Sequence, residues 1–202
     1  MNQTLPIDLV PTHGDFRALG SVPGISVDLR YAGPNNFVGS DLYAPFDCAW
    51  IHRHGAERLE AAAQWLRERG EGRSLRVLDA LRPQRVQQRL WDTLPPDLRM
   101  YLANPERGSI HSFGMAVDIT LLDPSGRELD MGTGFDDMTE LSHPALEARH
   151  LAGGLLDAVQ IANRQLLREA MFQAGFVGIN SEWWHFDCGD RVLVRRDYTR
   201  VL

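Results

Sequence analysis

The sequence predicts an α+β fold: a single domain in which flanking helices cover a small antiparallel sheet. Three observations lead there. The 202 residues suffice for one domain with its own core, whereas two domains would each be small. Residues 56–69 and 156–174 repeat apolar side chains at helical spacing. Around them lie short alternating runs joined by long irregular loops, without the regular strand–helix alternation of a parallel sheet or the glycine pattern of a nucleotide site.

The first forty-odd residues, 1–45, are rich in Pro, Gly, Asn and Asp and are read as a segment wrapped over the core of the one 1–202 domain. Their one alternating run, Val27-Asp28-Leu29-Arg30-Tyr31, is expected to be a strand. In the helix over 56–69, Leu59, Ala62, Ala63 and Leu66 share a face and Gly70 supplies the stop. Leu75 to Leu81 follows as a strand, then Arg82-Pro83, with Pro83 suited to the first position of a helix. Met115 to Leu121 alternates as a strand covered on one side would, with Asp118 away from the more apolar face. Residues 130–144 form a candidate long loop, and Leu166, Leu167, Ala170 and Met171 line the second helix before Gly175. The chain returns as a strand containing Trp184-His185-Phe186.

Composition narrows the chemistry. The formal net charge of −6 and the absence of a basic stripe argue against nucleic acid as a partner. All 21 cationic side chains are Arg, which removes Schiff-base lysines, Ser-Lys dyads and P-loops. No run reaches the ~20 apolar residues of a membrane helix, and the start lacks a signal-peptide pattern, so a cytoplasmic protein without membrane contact is expected. Cys48 and Cys188 are read as reduced structural thiols, with one bridge between them as the alternative.

Two segments carry polar groups that need a reason for being there. In Ser109-Ile110-His111-Ser112-Phe113-Gly114-Met115-Ala116-Val117-Asp118, an imidazole precedes a glycine turn and a carboxylate sits in the strand that follows. In Ser181-Glu182-Trp183-Trp184-His185-Phe186, a carboxylate and an imidazole sit inside an aromatic stretch. A catalytic zinc takes three such ligands and leaves its fourth position to water. His111, Asp118 and His185 are therefore the candidate ligands, and Glu182 a candidate general base whose pKa the two Trp rings would raise. His52 and His54 flank Arg53 in a polar stretch and are expected in solvent. Arg82 stands at a helix start, where a cation is locally unfavourable and calls for an anionic partner.

His111 with Asp118, Glu182-Trp183-Trp184-His185, and Asp79-Ala80-Leu81-Arg82-Pro83 together resemble the zinc D-alanyl-D-alanine dipeptidases associated with vancomycin resistance. Leu29-Arg30-Tyr31-Ala32, Asn36-Phe37 and Met131-Gly132-Thr133-Gly134-Phe135-Asp136 extend the match in family order. The resemblance implies a fold shared with D,D-carboxypeptidases and the hedgehog signalling domain, and one zinc per chain on His111, Asp118 and His185. It further implies Glu182 as base, Arg82 stabilising the tetrahedral intermediate, and Tyr31, Ser109 and Asp136, with Trp183 beside them, lining a pocket for a small dipeptide. Two positions depart from the family pattern: Phe113, where Arg is usual, and Leu81, where an aromatic is usual. Rival readings are a D,D-carboxypeptidase, which differs only in its pocket, and a non-catalytic zinc module, which would have lost the base or the oxyanion group. An esterase with a Ser nucleophile would need a Gly-x-Ser-x-Gly elbow, which the chain lacks.

Overall fold

Short strands at both ends close the chain on itself in the computed structural model, which describes residues 3–202. The elements run β1 (Thr4–Leu5), β2 (Phe16–Ala18), β3 (Ile25–Val27), β4 (Trp50–His52), α1 (Arg53–Glu68), β5 (Ser74–Asp79), α2 (Gln84–Thr93) and β6 (Ala116–Leu122). They continue with α3 (Glu147–Ala152), α4 (Ala158–Gln173), β7 (Val177–Gly178), β8 (His185–Asp187), α5 (Arg191–Asp197) and β9 (Arg200–Val201). β1 pairs with β9, β2 with β4, and the remaining five strands form the central sheet in the order β3-β5-β6-β8-β7. The sheet is antiparallel except for its edge pair β3–β5, which runs parallel because α1 and the segment before it carry the chain back across.

Both long helices lie on one side of this sheet and close the larger core. α1 buries Leu59, Ala62, Ala63 and Leu66, and Gly70 follows it at φ 72°. α4 opens with a capping box, in which the Asp157 carboxylate accepts from the Gln160 N–H while the Gln160 side chain accepts from the Asp157 N–H. Its buried Arg164 donates to the carbonyls of Met131 and Leu141, which ties the 130–144 loop to the helix. A second cluster joins Leu5, Val10, Tyr31 and Tyr43 to Leu81, Val86 and Leu90.

Several local expectations are corrected. β6 is buried at all seven positions, so it is covered on both faces rather than one. The early strand spans Ile25–Val27, and Arg30–Ala32 is a 3-10 turn held by Asn36, whose amide donates to the carbonyls of Arg30, Gly33 and Ser40. Pro83 caps α2 in an extended conformation (φ −57°, ψ 151°) instead of starting it. His52 is buried: its ring accepts from the His54 N–H at the start of α1 and packs edge-on against Phe16 and Tyr198, while His54 is exposed as expected. Cys48 and Cys188 are free and buried.

Candidate active site

The site is built on one row of the sheet. Register places Asp79 of β5 opposite Asp118 of β6, and Asp118 opposite His185 of β8. Two facing carboxylates repel one another, and Arg82 answers both: its Nε donates to Asp79 at 2.7 Å and its Nη2 to Asp118 Oδ2 at 3.0 Å. The anionic partner that a cation at a helix start requires is thus Asp79 together with Asp118. Tyr43 donates its hydroxyl to Asp79, Gln87 accepts from Arg82 Nη1, and the Tyr31 ring lies 5.0 Å from the guanidinium carbon.

His111 reaches the row from the turn before β6. That turn ends at Gly114, with φ 62° and a position where a Cβ would stand 2.8 Å from the His52 nitrogen, so only glycine fits without displacing β4. His111 Nδ1 lies 2.8 Å from the Ala80 carbonyl, which can only accept, so Nδ1 carries the proton and Nε2 is left as a bare donor atom. On the other side, His185 Nε2 lies 3.0 Å from an Asp187 carboxylate oxygen, which likewise frees Nδ1. Asp187 in turn accepts from Arg191 Nε at 2.5 Å.

His111 Nε2, His185 Nδ1 and Asp118 Oδ1 therefore face one another at 3.1, 3.4 and 3.0 Å, three lone pairs around one point. Such a cluster needs a cation. Four-coordinate zinc with bonds of about 2.0–2.1 Å spaces its ligand atoms by roughly 3.3 Å, so the triangle fits that ion with little movement. His111, Asp118 and His185 also form the one group of three such side chains among the described residues that could hold a metal ion. Although burial alone would lower it, Asp187 and Asp118 carry the His185 imidazole's pKa up, so the carboxylates around the triad favour positive charge there. Burial would raise the Asp118 carboxyl, but His111 and His185 hold it well below the usual carboxylate range.

A cavity of about 340 Å³ opens over the triad. Glu182 stands on its wall with a carboxylate oxygen 4.0 Å from His185 Nδ1, and burial pushes its pKa up to about 7. Further along the wall the Tyr31 hydroxyl donates to Asp136 at 2.8 Å. Asp136 is the one non-glycine residue with positive φ (61°) among the described residues, and burial raises its pKa well above the usual carboxylate range. Ser109 also lines the cavity.

Trp183 does not line it. Its indole is buried and donates to Thr133 Oγ1 at 2.8 Å, and Trp184, set edge-on to it, faces the cavity instead. Leu81 and Phe113, the two departures from the family pattern, are buried in the two cores and do not line the cavity. Sequence pattern assigns no role to Tyr43 or Asp187, and none to Asp79 beyond its place in the Asp79-Ala80-Leu81-Arg82-Pro83 match. The signal for Asp187 was present, since residues 185 and 187 of a strand share a face.

A family profile described as D-ala-D-ala dipeptidase matches residues 16–201. The chain is 39% identical over 165 residues to a D-alanyl-D-alanine dipeptidase of Escherichia coli (strain K12), covering 82% of this chain and 79% of the relative. It is 34% identical to a D-alanyl-D-alanine dipeptidase of Streptomyces coelicolor, covering 86% and 91% of the two chains, and 32% identical to one of Enterococcus faecium, covering 82% and 86%.

Proposed function

Since this chain belongs to the D-Ala-D-Ala dipeptidase family of peptidases, we propose that it hydrolyses free D-Ala-D-Ala to D-alanine with one zinc ion on His111, Asp118 and His185. The observation that carries the reading is the triangle of bare donor atoms, with a carboxylate of raised pKa beside it in one cavity. Zinc bound there would supply Lewis acidity, bringing the pKa of water towards ~7 and polarising a carbonyl.

The remaining chemistry belongs to the chain. Glu182, poised near neutrality by burial, takes the proton of the attacking water and returns it to the leaving amine. Arg82 fixes Asp118 through Oδ2, which turns Oδ1 to the triad, and it reaches the cavity wall where it can stabilise a developing oxyanion. Burial raises the Asp136 pKa although the Tyr31 hydroxyl and Arg82 oppose it, and the substrate ammonium supplies the positive charge that would favour the ionised carboxylate. The Tyr31 hydroxyl holds it in place, and Ser109 adds a polar contact to the peptide. Among the described residues no helix is long and apolar enough to cross a membrane, and a cytoplasmic location is part of the proposal.

The test is release of free alanine from D-Ala-D-Ala, L-Ala-L-Ala, N-acetyl-D-Ala-D-Ala and a pentapeptide ending in D-Ala-D-Ala. Cleavage of the free D,D-dipeptide alone supports the reading. Equal cleavage of the pentapeptide would replace it with a D,D-carboxypeptidase.

A further inference from the structure

Gln87 is fully buried in the first turn of α2, and nothing in the mechanism above uses it. Its side-chain amide joins two parts of the site. The oxygen accepts from Arg82 Nη1 at 3.2 Å, and the nitrogen donates to the Ala103 carbonyl at 2.8 Å. Arg82 and Ala103 line the cavity, whereas Gln87 stands behind them.

The amide is oriented from both ends. A guanidinium can only donate and a carbonyl can only accept, so the oxygen faces Arg82 and the NH2 faces Ala103. Carboxylates hold the other two guanidinium nitrogens, Asp79 at Nε and Asp118 at Nη2. Nη1 is thus the nitrogen whose partner is uncharged. A neutral acceptor fixes that edge and leaves the cation free to answer a developing oxyanion, where a third carboxylate would cancel it.

Ala103 belongs to the stretch that follows α2. The 3-10 turn Pro96–Tyr101 buries none of its residues, and Met100 is 71% exposed. Met100, Tyr101, Leu102 and Ala103 nevertheless form part of the cavity wall, and the Tyr101 hydroxyl lies 2.9 Å from Nε2 of His143 in the 130–144 loop. A wall segment with so little burial opens more easily than the sheet beside it. When it lifts, the Ala103 carbonyl leaves, and the Gln87 amide loses the contact that decides which of its ends meets Arg82.

We infer that Gln87 is a positioning residue that makes oxyanion stabilisation by Arg82 depend on the seating of segment 96–103 at the cavity wall. The inference rests on the peptidase reading above and on the place of Arg82 in it, and adds a link between covering the cavity and readying its cation. By reciprocity, an anion that engages Arg82 steadies the segment.

The experiment is hydrogen exchange of the 96–103 amides with and without a saturating tetrahedral phosphinate analogue of D-Ala-D-Ala. It compares the zinc-loaded parent with Gln87→Met, which keeps the side-chain length and removes both hydrogen bonds, and with Gln87→Glu, whose carboxylate repels the Ala103 carbonyl. The analogue should slow exchange roughly five- to 150-fold in the parent and far less in either variant. In alanine release from D-Ala-D-Ala, Gln87→Met should lose roughly ten- to 150-fold in kcat with KM unchanged, the range of a hydrogen bond to a charged group. Bound zinc should match the parent, which shows that Asp118 and the fold are intact. Lower zinc in both variants would route the effect through Asp118 and overturn the inference, as would equal protection in all three proteins or an unchanged kcat. Arg82→Ala, measured alongside, separates the two readings: a lost kcat there beside a normal Gln87→Met protein removes only the Gln87 link. Activity retained in Arg82→Ala, or no turnover by the parent, would remove the mechanism and this inference with it.

Discussion

Replacing Asp136 isolates the charge at the amine end of the cavity. The informative substitution is Asp136→Asn rather than Ala, because residue 136 sits at φ 61°, a conformation in which Asn is comfortable and Ala is strained. Asn keeps an oxygen to accept the Tyr31 hydroxyl, so the 2.8 Å contact survives and only the negative charge is lost. A charge-assisted hydrogen bond contributes about 1.5–3 kcal/mol, which corresponds to a fall of roughly ten- to 150-fold in kcat/KM for D-Ala-D-Ala. Steady-state alanine release gives the number, and it is read beside N-acetyl-D-Ala-D-Ala, which has no ammonium. The variant should lose most of the parent's preference for the free dipeptide over the acetylated one. If Asp136→Asn keeps both its kcat/KM and that preference, the ammonium is bound elsewhere and Asp136 merely shapes its loop.

Other consequences are open to direct measurement. His111→Ala, Asp118→Ala and His185→Ala should each lose most bound zinc by metal analysis, whereas Glu182→Gln should keep it and lose about 10²- to 10⁴-fold in kcat; full zinc in all three ligand variants would contradict the metal site. Asp187→Asn, which weakens the hold on His185 Nε2, should cost about 10- to 100-fold in zinc affinity by competition with a chelator, and unchanged affinity would leave Asp187 without its orienting role. Burial, aided by His54, lowers the His52 pKa from 6.5 to about 4. The unfolded chain therefore takes up a proton that the folded chain refuses, so this contribution is complete above pH 6.5 and is lost as pH falls towards 4. Its size is on the order of 3 kcal/mol. His52→Asn, which retains an acceptor for the α1 cap, should flatten that part of a urea-denaturation pH profile, and an unchanged slope would assign it to other groups.

The sequence by itself determined the two long helices and the candidate metal ligands, for reasons that are local. Leu59, Ala62, Ala63 and Leu66 repeat with the period of a helix whatever they pack against. His111, Asp118, Glu182 and His185 stood out because ionisable groups in apolar surroundings are costly unless they serve a purpose. Local pattern failed at His52, whose polar neighbours suggested solvent, because its burial comes from Phe16 and Tyr198, which are distant in sequence. It failed at Trp183 too, since which of two adjacent indoles faces the cavity depends on how the backbone turns into β8. Only the tertiary structure could align Asp79, Asp118 and His185, because that row is a property of strand register. The same holds for Tyr31 with Asp136, 105 positions apart. Ligand chemistry belongs to residue types and can be read along the chain; the electrostatic pattern of a cavity comes from segments that meet only when the sheet closes and both cores form.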